Sequence, residues 1–354
     1  MTLDDSTQPV GFEGIDQPAT DDWIANHVED LKGPFVWRQL TGGTSNLTYA
    51  IEDSVGRRAV VRRPPVGPLL PKAHDMEREF KIMVGVAPTG VPVAQPLALC
   101  SDREVTGAPF YVMDYCEGVS LSEPMGPFRD MPAAIRPRIG ASMVEGLAAL
   151  HRVNFEEVGL GRLGRPDSYV ARQLNRWYDS YQRSSEAAGL DLPQVAEAFE
   201  VLSAKIPDQG PASICHGDYA PHNLLISEET GELVAITDWE IGTLGDPLAD
   251  FTYFVLSWNK DQAQSQEAFF EGSPGEGYAS RGELVELYEA RSGRTLDDLW
   301  FYIAFNIFKS CCITQGVYGR FRGGVRGTQG LDLELMRKWI ESTAETTKWA
   351  VGLL

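Results

Sequence analysis

Three oxygen-bearing side chains are spaced around a predicted β-hairpin in the second half of the chain. Two short apolar runs, residues 224–226 and 233–236, flank a polar turn, and this pattern predicts a hairpin. Asn223 directly precedes the first run, and Asp238 closely follows the second. Because paired strands lie about 5 Å apart, these two ends are expected to meet. Asp218, which precedes Asn223, lies in the loop that leads to the same end of the hairpin.

These side chains suit phosphoryl transfer to a hydroxyl group. A loop carboxylate can orient the hydroxyl and accept its proton, and Asp218 has that place in the pattern. Mg²⁺ that bridges phosphates takes one or two oxygen ligands from the protein, and Asn223 and Asp238 can supply them. The alternative is an ordinary hairpin whose carboxylates are solvated. The complete spacing in its strand context favours the catalytic interpretation.

The composition is typical of a globular protein with an acidic surface. The 354 residues, 43% hydrophobic and 23% charged, are enough for one large or two medium domains. With 50 acidic and 31 basic residues the net charge is −19, which disfavours nonspecific binding to nucleic acid or to an anionic membrane. Residues 1–20 show no signal pattern, and the apolar stretch 299–318 is interrupted by polar residues, which indicates a buried helix. The five cysteines form no C-x-x-C pair, which favours a cytoplasmic location.

The catalytic-loop candidate resembles that of the aminoglycoside phosphotransferase family, within the protein-kinase-like superfamily. Residues 216–223 read His-Gly-Asp-Tyr-Ala-Pro-His-Asn, with Gly217 where protein kinases usually carry arginine. Residues 238–240, Asp-Trp-Glu, stand where protein kinases carry Asp-Phe-Gly. Other segments resemble a branch of the family that includes the kinase-like domain fused to certain acyl-CoA dehydrogenases; these are residues 70–80, 110–113, 244–250 and 315–320.

The resemblance implies a nucleotide site built by residues earlier in the chain. Arg62, on the predicted strand 59–63, stands where the superfamily has a lysine that holds the α- and β-phosphates, and Arg63 is adjacent. Arginine supplies charge and donors but differs from lysine in reach and geometry. Glu79, on a predicted helix over residues 72–83, matches the glutamate that pairs with that cation. A solvated helix glutamate is the alternative.

Two backbone segments would complete the nucleotide site. Small residues between the predicted strands 35–40 and 48–51 would let N–H groups approach phosphates, although a plain hairpin turn fits this loop equally well. The segment around Met113 resembles the interlobe hinge, where the backbone of Asp114 and Cys116 would meet the adenine edge and Met113 would lie behind the base. The implied nucleotide-contacting residues are Thr41, Gly42, Gly43, Thr44, Ser45, Asn46, Arg62, Glu79, Met113, Asp114 and Cys116.

The resemblance also implies the fold and the reaction. The expected fold is α+β, with two lobes of the protein-kinase type. A flexible tail over residues 1–19 would precede a nucleotide-binding lobe over 20–116, mainly antiparallel sheet, and a larger, mainly helical catalytic and acceptor-binding lobe over 117–354. Asp250 is expected to brace the catalytic loop. The expected reaction is ATP-dependent phosphorylation of a hydroxyl group on a small molecule, with Mg²⁺.

The acceptor stays open between several classes. Arg320, Arg322 and Arg326 fall in a predicted Gly-rich loop after a helix that ends near Tyr318. An anion-binding patch there would favour an anionic acceptor such as a hydroxyacyl-CoA, in line with the kinship to acyl-CoA dehydrogenase fusions, because arginine pairs well with phosphates. A solvated basic loop is the alternative. The other hypotheses are an aminoglycoside, choline-like or amino-sugar acceptor, and a catalytically inactive nucleotide-binding regulatory module, for which the arginine at position 62 is the support.

Overall fold

The structure, a computed structural model, describes residues 11–40, 46–67, 74–121, 127–259, 265–324 and 332–354. Strands and helices alternate in its first part, and helices dominate the last part. The strands of the described residues are β1 Val36–Gln39, β2 Leu47–Glu52, β3 Arg58–Arg63, β4 Pro96–Cys100, β5 Phe110–Asp114, β6 Val119–Ser120, β7 Ser213–Cys215, β8 Leu224–Ile226, β9 Leu233–Ile236 and β10 Thr243–Gly245. The helices are α1 Gln17–His27, α2 Met76–Val86, α3 Arg103–Thr106, α4 Pro127–Asp130, α5 Arg136–Arg152, α6 Tyr169–Ala188, α7 Pro193–Ala204, α8 Pro247–Trp258, α9 Gln266–Glu271, α10 Arg281–Ser292, α11 Leu299–Arg322 and α12 Leu333–Val351.

Internal contacts divide the chain into two units that are not continuous in sequence. The described parts of residues 1–163, 221–242 and 275–279 form the first unit. The described parts of residues 164–220, 243–274 and 280–354 form the second. This division does not follow the lobe boundary expected after Cys116, so that boundary stays a prediction. No helix among the described residues combines the length and hydropathy needed to cross a bilayer.

The first unit is built on a five-stranded antiparallel sheet with the strand order β1-β2-β3-β5-β4. Apolar residues that alternate along these strands point to one face, as the two-residue period of a strand requires, and α1 packs against that face. The buried cluster consists of Ile24, Val28, Leu31, Phe35, Trp37, Tyr49, Ile51, Ala59, Val61, Cys100, Phe110 and Val112.

The segment before α1 differs from the flexible tail expected over residues 1–19. Residues 11–19 are described, and Phe12 and Ile15 pack against the buried cluster of the sheet. The Tyr49 hydroxyl donates to the backbone oxygen of Glu13 at 2.6 Å. The helix itself begins at Gln17 because Asp16 caps it, accepting from the backbone N–H of Ala19 at 3.2 Å. An acidic, polar composition did not indicate these two apolar anchors.

The hairpin predicted from the two apolar runs is confirmed. β8 and β9 are antiparallel neighbours, with Leu224 opposite Ile236, and β6 adds a third strand beside β8. The backbone N–H of Ile236 also donates to the oxygen of Pro92 at 2.9 Å, which fixes the hairpin to the segment before β4.

The second unit is helical, with one short strand pair, β7 and β10, before and after the hairpin in sequence. Its long central helix, α11, packs against α6, α7, α8 and α12. The prediction that this helix ends near Tyr318 is wrong, because it continues to Arg322. Gly319 lies inside the helix where a Cβ would come within 3.3 Å of the Ala188 nitrogen on α6. The glycine therefore permits close helix packing and does not end the helix.

This longer helix changes the setting of the arginine cluster. Arg320 and Arg322 lie on α11 and not in a loop, and Arg326 lies outside the described residues. The Arg322 guanidinium donates through Nη1 to the backbone oxygen of Ala188, the last residue of α6. A helix leaves its last carbonyl groups without partners inside the helix, so Arg322 caps α6.

Candidate active site

A buried arginine in the first unit joins two carboxylates from distant parts of the chain. The Arg62 guanidinium donates from Nε to Glu79 Oε2 at 3.2 Å and from Nη2 to Asp238 Oδ1 at 2.6 Å. The Glu79 side chain has no solvent exposure, and that of Arg62 is 11% exposed. The structure therefore brings together three of the residues implied as site residues, on β3, on α2 and after β9. Their action on a nucleotide stays a prediction.

The two adjacent arginines of β3 have different surroundings because successive side chains of a strand point to opposite faces. The Arg63 guanidinium donates to the backbone oxygens of Pro64, Gly14 and Thr106. It therefore holds three backbone segments together, whereas Arg62 lies among carboxylates. Between the two arginines left open by the sequence, Arg62 is the one placed beside Glu79.

Glu79 is held by more than its ion pair. The Tyr111 hydroxyl donates to Oε2 at 3.0 Å, and the Asn46 amide donates to Oε1 at 3.3 Å. Burial raises the pKa of Glu79 from its ordinary value of 4.5, and the charge of Arg62 opposes that rise. The complete burial of Glu79 rules out the solvated helix glutamate. Asn46, implied as a nucleotide-contacting residue, belongs to this network, and its Oδ1 lies 2.9 Å from His74 Nδ1. Its contact with a nucleotide stays a prediction.

The open end of the hairpin fixes Asn223 and Asp238 next to one another in the fold. The backbone oxygen of Asn223 accepts from the N–H and the hydroxyl of Thr237, at 2.8 and 3.0 Å. Asp238 follows in the left-handed region, with φ 65°, which few residues other than glycine adopt, although Asp and Asn are enriched there. Trp239 anchors this turn because its buried indole donates to the Ile236 oxygen at 3.1 Å.

The same turn supplies a third carboxylate that could hold a metal ion. Oxygen atoms of Glu79, Asp238 and Glu240 all lie within 4.8 Å of one another. Such hard oxygen donors fit Mg²⁺. Because the Glu79 side chain has no solvent exposure, whereas those of Asp238 and Glu240 are each 27% exposed, Asp238 and Glu240 are the carboxylates that an ion could reach most easily. Sequence reasoning missed Glu240, although its position two residues after Asp238 was a usable signal.

In the second unit, a buried carboxylate holds the predicted catalytic loop. Asp250 accepts the backbone N–H of Gly217 at 2.8 Å with one oxygen and that of His216 with the other. Gly217 has φ 85°, a conformation that glycine adopts without steric cost, so it lets both N–H groups turn to the same carboxylate. The expected brace from Asp250 is confirmed. Asp218 follows directly, half-buried, and its backbone N–H donates to His216 Nδ1 at 3.3 Å.

The implied hinge residues lie at the end of β5. Met113 is half-buried and pairs with Val60 of β3 in the sheet. The Asp114 carboxylate pairs with Arg57 at 3.1 Å, and its backbone N–H donates to the Gln95 oxygen at 2.9 Å. Cys116 follows, half-buried, and burial raises the pKa of its thiol. The predicted phosphate-covering residues Thr41, Gly42, Gly43, Thr44 and Ser45 lie outside the described residues.

Known proteins share both the sequence pattern and the fold. The family model described as the phosphotransferase enzyme family matches residues 36–284. Acyl-CoA dehydrogenase family member 10 of Mus musculus is 35% identical over 294 residues, which cover 81% of this chain and 27% of that protein. The chain spans 27 to 40% of the length of the curated relatives it matches.

Solved structures resemble the whole chain. A protein of Ralstonia eutropha proposed to be an aminoglycoside phosphotransferase has a TM-score of 0.80 and 31% identity, covering 95% of this chain and 98% of that one. An aminoglycoside phosphotransferase in complex with AMP-PNP and hygromycin B has a TM-score of 0.59 and 15% identity, covering 94% of this chain and 98% of that one; at this identity the likeness concerns the fold alone. The predicted α+β fold of the protein-kinase type is confirmed.

Proposed function

The chain belongs to the phosphotransferase enzyme family, and from this premise we propose that it transfers the γ-phosphoryl group of ATP to a hydroxyl group of a small molecule, with Mg²⁺. The observation that carries the proposal is the Arg62 guanidinium held between Glu79 and Asp238. A guanidinium group that is already held in place loses little conformational entropy when it binds phosphate oxygens.

The predicted site residues of the first unit have the following roles in this proposal. Arg62 binds the α- and β-phosphates, and Glu79 orients its guanidinium. Asp238 and Asn223 are the metal ligands, with Glu240 as a third oxygen donor within reach. When bound, the metal supplies charge neutralisation at the phosphates. The backbone of Asp114 and Cys116 contacts the adenine edge, with Met113 behind it, and residues 41–46 cover the phosphates.

Asp218 acts as the base. A bond forms between the acceptor oxygen and the γ-phosphorus, while the bond from that phosphorus to the β–γ bridging oxygen breaks and ADP leaves. The hydroxyl proton passes to Asp218. The two N–H groups that Asp250 holds support this assignment, because they fix the backbone that carries the base.

The acceptor that we favour is an anionic hydroxylated metabolite such as a hydroxyacyl-CoA, since the curated relatives are named as acyl-CoA dehydrogenase family members. An aminoglycoside, choline-like or amino-sugar acceptor is the second candidate, supported by the relationship of the fold to aminoglycoside phosphotransferases. Arg322 gives no support to the anionic acceptor, because its guanidinium caps α6. We place the protein in the cytoplasm, on the basis of its cysteine pattern.

The test measures ADP release from Mg·ATP with a panel of acceptors that includes a hydroxyacyl-CoA, kanamycin, choline and an amino sugar. Asp218→Asn should lower turnover on the accepted substrate by roughly 10²–10⁴-fold, the usual contribution of a positioned base. Its affinity for Mg·ATP should stay that of the parent. Equal turnover of the variant and the parent would mean that Asp218 is not the base. Tight Mg·ATP binding without transfer to any acceptor would favour the regulatory module.

A further inference from the structure

A lysine on α11 contacts the predicted catalytic loop of the second unit. Lys309 lies on α11 next to the fully buried Phe308, and it is half-buried itself. Its Nζ donates to the backbone oxygen of Gly217 at 3.2 Å and lies 5.0 Å from the centre of the Tyr253 ring. A buried ammonium group is costly unless it is paired, so these contacts indicate a function beyond packing.

Charged groups on several elements surround Lys309 and shift its pKa in opposite directions. Burial lowers the pKa of Lys309, while the charges of Asp250 and Asp218 raise it again. Arg176 on α6 lowers this pKa further, and Cys215 on β7 raises it. The ammonium group thus has two carboxylates and one arginine near it, and the carboxylates include the proposed base.

Tyr253, on α8, contacts the same carboxylate. Burial raises the pKa of the Tyr253 hydroxyl well above its ordinary value, and the charge of Asp218 and a hydrogen bond to that carboxylate raise it further. A phenol whose pKa rises in this way keeps its proton and donates it in the hydrogen bond. Asp218 therefore accepts from Tyr253, and the ring of Tyr253 lies beside Lys309.

We propose that Lys309 and Tyr253 are positioning residues for the transfer reaction: Lys309 fixes the Gly217 carbonyl and places its positive charge beside the catalytic loop, and Tyr253 orients the Asp218 carboxylate towards the acceptor hydroxyl. This inference rests on the proposed function, because it assumes that Asp218 is the base. Its physical basis is that a nearby cation and a donated hydrogen bond both favour the ionised form of a carboxylate. A base must be ionised to accept a proton, so losing either partner should reduce turnover most at low pH.

The experiment compares Lys309→Met, which keeps the unbranched apolar part of the side chain and removes its charge, with Lys309→Arg, which keeps the charge. Lys309→Met should lower kcat about 10- to 100-fold, the usual effect of removing a group that orients a reacting one. Its KM for Mg·ATP should remain within about twofold of the parent value, because the nucleotide residues are untouched. The acid limb of its kcat–pH profile should move to higher pH. Lys309→Arg should restore part of the loss.

The matched control is Lys338→Met on α12, where the lysine side chain is 66% exposed and pairs with Glu334 at 3.7 Å. It should behave as the parent. Tyr253→Phe keeps the ring and removes the hydroxyl, so it tests the inference even if Lys309→Met does not fold. It should also lower kcat and move the acid limb to higher pH.

Two results would overturn the inference. One is a Lys309→Met or Tyr253→Phe protein whose kcat and whose acid limb of the kcat–pH profile are those of the parent. The other is a variant that unfolds more easily yet, per folded molecule, keeps both quantities, since that is a purely structural effect. The Asp218→Asn variant distinguishes a failure of this inference from a failure of the proposed base. If Asp218→Asn loses turnover while these variants do not, only this inference fails, whereas a fully active Asp218→Asn also removes the proposed base.

Discussion

Replacing Arg62 by methionine would remove the cation that bridges Glu79 and Asp238. Glu79 would then remain as a carboxylate without solvent contact and without its cation. An uncompensated buried charge destabilises the folded state. Removing one partner of such a pair typically costs about 3–5 kcal/mol of folding stability. The hydrogen bonds from Tyr111 and Asn46 remain and support the carboxylate. We therefore expect a loss near the lower end, about 3 kcal/mol at neutral pH.

The loss should depend on pH in a defined direction. Burial already raises the pKa of Glu79, and without Arg62, which opposes that rise, the pKa in the folded state should be higher still. A carboxyl group with a raised folded-state pKa contributes stability below its unfolded pKa, and the contribution is lost as pH rises through the folded-state pKa. The stability deficit of Arg62→Met should therefore be small near pH 4.5, the ordinary value for Glu79, and grow towards neutral pH. The growth is at most about 1.4 kcal/mol per pH unit.

Urea denaturation of four proteins at several pH values would measure this deficit. The proteins are the parent, Arg62→Met, Glu79→Gln and the double variant. The double variant should recover most of the loss, because a buried glutamine amide carries no charge, and its stability relative to Glu79→Gln should not vary with the ionisation of residue 79. A deficit of Arg62→Met that is the same at pH 5 and pH 8 would refute the argument. So would a double variant that is no more stable than Arg62→Met.

Two further predictions concern the other carboxylates. Asp238→Ala should abolish the Mg²⁺-dependent part of nucleotide binding, because the proposed carboxylate ligand disappears; calorimetric titration with and without Mg²⁺ measures this, and an unchanged Mg·ATP affinity would remove Asp238 from the site. Asp250→Ala leaves the buried N–H groups of His216 and Gly217 without their acceptor, at about 1–3 kcal/mol each. Its unfolding free energy should fall by that sum and its kcat should fall as well, whereas parental stability would contradict the bracing role.

Local patterns in the sequence were enough to predict the hairpin. β8 and β9 have the predicted limits. Their signals are short-range, since each strand is an apolar run of a few residues and a polar turn lies between the two runs.

The partner of a side chain could not be predicted in the same way. The sequence pattern favoured Arg62 over the adjacent Arg63 only through the resemblance, because the strand period separates their faces without saying which face meets Glu79. The carbonyls that hold Arg63 belong partly to Gly14 and Thr106, far from it in sequence. Gly319 was misjudged for a related reason, since its close approach to Ala188 is a tertiary contact.

The residues that sequence reasoning missed have partners distant in the chain. Lys309 lies 92 positions from Gly217, whose oxygen it contacts, and no local pattern connects the two. Its signal was the presence of a lysine in the apolar stretch that forms α11. Glu240 was overlooked because it stands where protein kinases carry the glycine of Asp-Phe-Gly, so its carboxylate had no counterpart in the pattern used.

The acidic composition gives these local cations a particular importance. With 50 acidic and 31 basic residues, the carboxylates of this chain outnumber the cations that could pair with them. A catalytic base and a metal-binding carboxylate both act in the ionised form, and a cation close by favours that form. Arg62 contacts Asp238 at 2.6 Å, and the charge of Lys309 interacts with that of Asp218, the proposed base. The Arg62 side chain is 11% exposed and Lys309 is half-buried, and partly buried charges interact more strongly than charges in water and are screened less by salt.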